Sequence, residues 1–489
     1  MFPSMRFRQQ MRPFNESELA LAANDRASSP RIVALIPRGE VIRNFVHSGA
    51  LDEVARSVDV SLFSISTNSE LDEVLRNRFG SVFPLDEFDE RWLVRFQREI
   101  LDISHNRWIW SKAAQERWRL RDAEAVSVKQ KSKHLLKKAV GCTFANRPGL
   151  SFLGRVERES SRRLRTTDSY ERLLSELKPS LVFNGSHIHS KIATQAVQAA
   201  QWLGIPTATF IFSWDNLTSQ GRIMLPYDYF LVWNEALKDQ LLEMYKWIKP
   251  DNVFVTGTPQ FDFHFRSEFY LSREDYCRHI GADPRRPIIF YATGMPNHMP
   301  GEPEIVERIA DGLMEYPPHL RPQLLVRVYP KDRSGRFEEL EKRRSDILFP
   351  KVAWEAAWLT PKYEDSYALV NALRHCALGI NVASTVSLEL CMFDKPVINV
   401  GYNPESVPAS VLSYADYYEF DHYKPVVDSG AVHVAKSSAE MLSLIEKCIV
   451  DPGTGSMKRR SLVDRMFGST LDGKSSERVA QVLTRLATK

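Results

Sequence analysis

Short runs of consecutive apolar residues, each ending on a polar or glycine-containing turn, recur along the chain. The first, RIVALIP at 31–37, runs into Pro37, Arg38 and Gly39, the pattern of a strand buried on both faces that enters a loop. DVSLFSIS (59–66), PSLVFNGS (179–186), PTATFIFSW (206–214), YDYFLVWN (227–234) and NVFVTGTP (252–259) share that format. Between the third and fourth runs, Ile192, Ala193, Ala196, Val197, Ala200 and Leu203 fall at helical spacing, and Gly204 with Pro206 ends the helix. Strand, helix and strand at this spacing predict a right-handed crossover and a parallel sheet.

Apolar periodicity then lapses over 261–285, which suits an interdomain connection. A second series follows: PIIFYATG (287–294), QLLVRVYP (323–330), ALGINVAS (377–384), PVINVGY (396–402) and GAVHVAK (430–436). The closing stretch SSERVAQVLTRLATK places Val479, Val482, Leu483 and Leu486 on one helical face. The expected fold class is therefore α/β, with two Rossmann-like doubly wound domains facing a cleft. The boundaries read as a tail over 1–30, a first domain over 31–260, the connection over 261–285 and a second domain over 286–489.

Length agrees, since 489 residues at about 100–200 per domain make two or three domains. Hydrophobic residues at 43% and charged residues at 26% exclude a disordered or collagen-like chain. The net charge of +4 gives no reason to expect nucleic acid. Its distribution is uneven, however. Residues 101–165 carry 16 Lys/Arg against 6 Asp/Glu, which marks a basic helical insertion in an otherwise acidic chain. Five scattered cysteines without a CxxC pair argue against a disulfide framework or zinc knuckle. No apolar run reaches the length of a membrane span, and the N-terminus lacks the apolar core of a secretion signal, so a cytoplasmic protein is expected.

Ligands on doubly wound sheets bind beyond the carboxyl ends of the strands. ALGINVAS runs into Ser384 and Thr385 at the start of a short helix, where free amides and the positive dipole end favour a phosphate. Glu389, one turn further on, shares a face with Thr385 and suits a ribose diol. The plain alternative is an ordinary helix cap with a solvated glutamate. Thr293 lies at the end of PIIFYATG and His298 in the loop after it, while Arg327 lies within QLLVRVYP and Lys331 follows it; His298 also reads as a surface loop residue. In the first domain, Glu40 and Arg43 follow the first strand, His187 and His189 the third, and Asp215 and Asn216 the fourth. A His187–His189 metal pair lacks a third ligand, so no metal is expected. Gly468–Ser475 matches GxxxxGK[ST], yet SMKRRSLVDRMF before it reads as a helix and 14 residues follow it, so a turn and helix cap are expected instead of a phosphate loop.

Residues 371–389 (NALRHCALGINVASTVSLE) with Asp394-Lys-Pro-Val-Ile resemble the nucleotide-binding core of GT-B glycosyltransferases, in particular bacterial surface-polysaccharide enzymes and CDP-glycerol glycerophosphotransferase-like proteins. Arg327-Val-Tyr329-Pro330-Lys-Asp332 resembles their R-x-HP-x-D exit, Gly257-Thr-Pro259-Gln-Phe-Asp262 their G-x-P-x-x-D, and Asp472-Gly-Lys-Ser-Ser-Glu-Arg478 their DGKxSER. The likeness spans about 180–485. Two positions depart: Trp214-Asp215-Asn216 stands where the glycerophosphotransferases have Trp-His-Gly, and Tyr329 replaces a histidine.

The resemblance implies a metal-independent, cofactor-free transfer of sugar from a nucleotide-sugar donor to a cell-surface glycan or lipid-linked acceptor. Asp215 occupies the position of the family's catalytic histidine and is the expected base, with Glu40 or His187 as substitutes. Ser384, Thr385, Glu389, Arg327, Lys331, His298 and Thr293 would hold the donor, and Asn216, Arg43 and His189 the acceptor. A nucleotide-sugar epimerase on the same scaffold and a non-catalytic nucleotide-sugar-binding protein are the alternatives. The basic stretch 101–165, interleaved with Trp108, Trp110, Trp118, Phe144 and Phe152, suits an anionic membrane surface and a peripheral position on its inner face. A solvated helical pair with the tryptophans packed inward, or a groove for an acidic glycan, would have the same composition.

Overall fold

The computed structural model describes residues 29–65, 70–86, 90–125, 127–164, 167–355, 360–408 and 411–489. Strands β1 (Arg31–Ile36), β2 (Asp59–Ser64), β3 (Val82–Pro84), β4 (Leu181–Asn184), β5 (Thr207–Phe210), β6 (Tyr229–Val232) and β7 (Val253–Val255) form one sheet in the order 3-2-1-4-5-6-7. A second sheet takes β8 (Ile288–Ala292), β9 (Gln323–Arg327) and β10 (Ile347–Leu348). After a hairpin of β11 (Trp354–Glu355) and β12 (Thr360–Pro361), it adds β13 (Leu378–Asn381), β14 (Val397–Val400) and β15 (His433–Ala435), in the order 10-9-8-13-14-15. Every neighbouring pair within the two large sheets is parallel.

Both sheets are thus doubly wound, and each reverses direction at one place: between β1 and β4, and between β8 and β13. Five consecutive residues of β1, Ile32 to Ile36, are each at most 1% exposed, as a two-sided apolar run requires. The predicted strands all form, slightly shorter than their apolar runs. β3, β10 and the hairpin lay below the sequence pattern because they are two or three residues long.

The connection over 261–285 is a packed element. Phe261, Asp262, Phe263 and His264 are buried in a 3-10 turn, Pro259–Phe265, and a helix follows at Arg273–Ile280. The last helix, Ser475–Ala487, leaves the second domain and packs on the helix Ala50–Ala55 of the first. Its start is anchored by Asp262, whose carboxylate accepts from the Ser475 and Ser476 amides (3.0 and 2.7 Å) and the Ser476 hydroxyl (2.6 Å). The letters that mimic a phosphate loop therefore form a helix start already occupied by a protein carboxylate. Gly257 permits this approach: its φ is 76°, and a Cβ there would lie 2.4 Å from Ser475 Oγ.

Between β3 and β4 stand five helices among the described residues, Trp92–Ile109, Lys112–Glu124, Val128–Thr143, Arg147–Arg163 and Asp168–Leu177. Two of the lysines that a membrane-facing reading would use are already committed. Lys137 is buried against Glu99, and Lys138 pairs with Asp122. Trp110 and Trp118 pack edge to face at 5.0 Å, with Trp110 36% exposed. Among the described residues no helix is long and apolar enough to cross a membrane. The tail over 1–28 lies outside the described residues.

Candidate functional site

Contacts between strand-exit loops show that the carboxyl ends of the two sheets face each other. The loop after β1 meets the loop after β9 where Lys331 pairs with Glu40. The loop after β5 meets the turn after β13 where the Trp214 indole N–H donates to Thr385 Oγ1 at 3.2 Å. Two further links close the cleft: His47 Nε2 lies 3.1 Å from the Pro361 carbonyl, and Arg266 donates to the Ser48 carbonyl at 2.6 Å.

The turn after β13 is held from beneath. Asn381 Oδ1 accepts from the Ser384 amide (3.1 Å), the Ser387 hydroxyl (3.0 Å) and Asn399 Nδ2 (3.1 Å), and the Tyr423 hydroxyl donates to Ser387 Oγ at 2.8 Å. Ala383, just before the turn, has φ 40°, the left-handed region that costs a residue with a Cβ about 1–2 kcal/mol. The expected row of free amides is shorter than the spacing implied. The Ser384 amide is spent on Asn381, and the Val386 amide on Ser384 Oγ at 3.3 Å. Glu389, expected to face a ribose, is instead nine-tenths buried with Oε2 3.0 Å from His264 Nε2 of the connecting segment.

Other expected donor-side groups also have protein partners. Arg327 forks onto both oxygens of Asp365 at 2.8 and 2.9 Å. Thr293 Oγ1 accepts the Tyr329 amide at 2.8 Å, tying the exits of β8 and β9 together. His298 Nδ1 lies 2.9 Å from the Tyr417 hydroxyl, and burial lowers its pKa. Lys331, its own pKa lowered by burial, joins Arg38 on Glu40. Arg43 stands on a π-helical turn, Ile42–His47, and donates to Gln260 at 2.7 Å. Burial lowers its pKa, while Glu389, Glu40 and Asp365 act against that shift.

The candidate bases separate clearly. Burial alone would raise the Glu40 carboxyl, but Arg38 and Lys331 outweigh it and hold the group well below the carboxylate range. A carboxylate paired in this way accepts a proton less readily than a free one. His187 is 3% exposed, with Nδ1 3.3 Å from both the Phe210 carbonyl and the Phe212 amide at the exit of β5. Burial pushes its pKa down to about 4, so it is neutral at pH 7, with Nδ1 fixed to backbone. The His189 side chain lies outside the described residues. Asp215 is partly exposed at the start of the short helix Asn216–Ser219, accepting from the Ser219 hydroxyl and from Asn216 Nδ2. It is close enough to His187, His422 and Arg117 to act on the charge of each. Asn216 itself is buried, its Oδ1 accepting the Ser213 amide at 2.8 Å.

Sequence reasoning missed the groups that shape these loops. Glu302 is fully buried, accepts the Gly294 amide at 2.8 Å and meets Arg336 at 2.9 Å; burial still pushes its carboxyl up to about 7. Asn381, Asn399, Tyr423 and His264 likewise carried no spacing signal, because their partners are set by tertiary contact. Among the described residues no group of three or more His, Cys, Asp or Glu side chains could hold a metal ion.

No family model and no curated protein sequence matches the chain. Solved structures do resemble it. A UDP-GlcNAc 2-epimerase from Neisseria meningitidis, bound to UDP-GlcNAc, is 12% identical with a TM-score of 0.52, over 93% of this chain and 100% of that one. A putative UDP-N-acetylglucosamine 2-epimerase from Listeria monocytogenes is 11% identical with a TM-score of 0.53, over 93% and 96%. A glycosyltransferase from Rickettsia africae is 11% identical with a TM-score of 0.51, over 94% and 99%. At such identities the likeness is one of fold: two doubly wound parallel domains facing a cleft, the GT-B architecture.

Proposed function

We propose that the protein is a glycosyltransferase that takes a sugar from a nucleotide-sugar donor, held against the turn after β13, and passes it to a glycan or lipid-linked acceptor. The observation that carries this reading is the Trp214–Thr385 hydrogen bond, because Asp215 is the next residue and therefore lies beside that turn. In a direct displacement, the acceptor hydroxyl gives its proton to Asp215 while its oxygen bonds to the anomeric carbon. The bond from that carbon to the departing phosphate oxygen breaks, and the nucleoside diphosphate leaves. The dipole of the helix Val386–Met392, with Arg43 and Lys331 nearby, opposes the developing negative charge. These cations motivate transfer that needs no metal ion, so activity should survive EDTA; loss on chelation with recovery on added magnesium or manganese would contradict it.

A solved structure of the same fold binds UDP-GlcNAc, which makes UDP-sugars the first donors to try. For the acceptor, the helix Val128–Thr143 exposes Val128, Leu135 and Leu136 beside Lys129, Lys131 and Lys133, a surface suited to anionic lipid and to a peripheral place on the inner membrane face.

Epimerisation of the nucleotide sugar is the second reading, favoured by His187 and His422, on whose charge Asp215 acts, and by the epimerases that share the fold. Incubation with UDP-sugars in deuterium oxide separates the two. Transfer gives acceptor-dependent release of nucleoside diphosphate and no deuterium in recovered donor. Epimerisation through proton removal gives deuterium in the recovered sugar without an acceptor. Donor binding with neither outcome would mark a non-catalytic protein.

A further inference from the structure

We propose that a cavity in the first domain, apart from the cleft, binds a single amphiphilic anion: an apolar chain carrying a phosphate-type headgroup. The cavity, of about 630 Å³, opens between the helices Trp92–Ile109 and Arg147–Arg163 and the segments 222–226 and 244–247. That volume is within the range of small-molecule sites. None of the cleft residues named above lines it.

Its walls and its charges point to different parts of one ligand. Leu101, Leu150, Met224, Leu225, Met244 and Trp247 supply apolar surface, with the two methionines able to adapt to a flexible chain. Arg147, Arg158, Arg222 and Lys246 supply four cations, against a single acid, Glu157. Glu157 is already bound to Arg98. Among the described residues, no hydrogen bond or ion pair engages Arg158 or Lys246. Arg222 spends Nε on Asp102 (2.8 Å) and Nη1 on the Met224 carbonyl (3.2 Å), while its Nη2 is buried without a partner. Arg147 donates to the Glu243 carbonyl at 3.1 Å and lies 5.8 Å from the centre of the Trp108 ring. Burial lowers the Arg158 pKa, the neighbouring Glu157 acts against that shift, and Arg222 and Arg155 add to it. Arg147, Arg158 and Lys246 are exposed at the cavity's rim, where a headgroup would meet them, whereas a purely apolar ligand would leave the buried Arg222 Nη2 unpaired and a bare anion would leave the walls wet. Asp102 relates the cavity to the cleft: it binds Arg222 and acts on Arg117, which also feels Asp215.

Trp108 and Trp247 line the cavity and report on it. The full-length protein, without nucleotide sugar, is titrated with dodecyl phosphate below its critical micelle concentration while tryptophan fluorescence is followed. A saturable change is expected. The double variant Arg158→Gln/Lys246→Gln should bind about tenfold more weakly or worse, as should wild type with 1-dodecanol or inorganic phosphate. Leu320→Gln, at an exposed apolar residue of the second domain, should bind normally and so separates the cavity from general surface adsorption. Farnesyl phosphate and dioctanoyl phosphatidic acid then distinguish the source, the tighter one marking an isoprenoid phosphate or a membrane phospholipid. No saturable response, dodecanol binding as tightly as dodecyl phosphate, an unaffected Arg158→Gln/Lys246→Gln variant, or loss in Leu320→Gln would overturn the proposal. Because no nucleotide sugar is present, that failure would leave the transferase reading standing.

Discussion

Trp214 and Thr385, 171 residues apart, are joined by a hydrogen bond of 3.2 Å from the indole N–H to the threonine hydroxyl, and this contact links the loop after β5 to the turn after β13. The indole also meets His422 edge to face at 5.3 Å and Tyr423 at 6.1 Å, so its position is fixed on three sides. Asp215 and the turn are thereby held in one relative position.

Trp214→Phe keeps an aromatic ring for His422 and Tyr423 and removes the donor. One hydrogen bond is worth about 1 kcal/mol. Turnover with nucleotide sugar and acceptor should fall about fivefold, while the urea midpoint moves little. An unchanged rate in steady-state assays would mean that the contact does not position the base.

Asp262→Ala should destabilise the fold without touching the cleft. It leaves the Ser475 and Ser476 amides, in residues 2% and 5% exposed, without their acceptor. Lost capping and two unsatisfied buried donors together cost roughly 3 kcal/mol. Asp262→Asn, which keeps one acceptor oxygen, should lose less. Urea unfolding within about 0.5 kcal/mol of wild type for the alanine variant would show that the last helix is anchored by other contacts.

His187 gives the stability a definite pH dependence. Its pKa falls from 6.5 to about 4 on burial, so between those values the unfolded chain takes up a proton that the folded chain refuses. Stability should therefore drop as pH falls through that window, by roughly 3 kcal/mol for this residue. His187→Gln should show a shallower fall in unfolding free energy between pH 7 and pH 4.5 (both about) than wild type. Identical slopes would mean that His187 titrates normally in the folded protein. His47 and His105, also lowered by burial, are present in both proteins and cancel from the difference.

Much of the fold was legible because two-sided burial of a parallel strand leaves a contiguous apolar run, as in β1, β8 and β13. β3 and β10 lacked that mark: three and two residues at a sheet edge need little apolar sequence. The site was legible only by position. Strand exits could be found from sequence, but Glu40–Lys331, Arg327–Asp365 and His264–Glu389 join distant segments, and no local spacing encodes which side chains pair in this way. The basic excess over 101–165 was visible as charge, whereas the cavity beside it depends on how those helices pack on 222–226 and 244–247.

The most direct test follows the donor and its fate in wild type and Asp215→Asn. Calorimetric titration with a panel of nucleotide sugars is followed by measurement of nucleoside diphosphate release in the presence of acceptor. Transfer with Asp215 as base predicts one donor that binds both proteins with affinities within about twofold, and release from wild type alone. Release by Asp215→Asn at the wild-type rate, or no saturable binding of any nucleotide sugar to either protein, would contradict it.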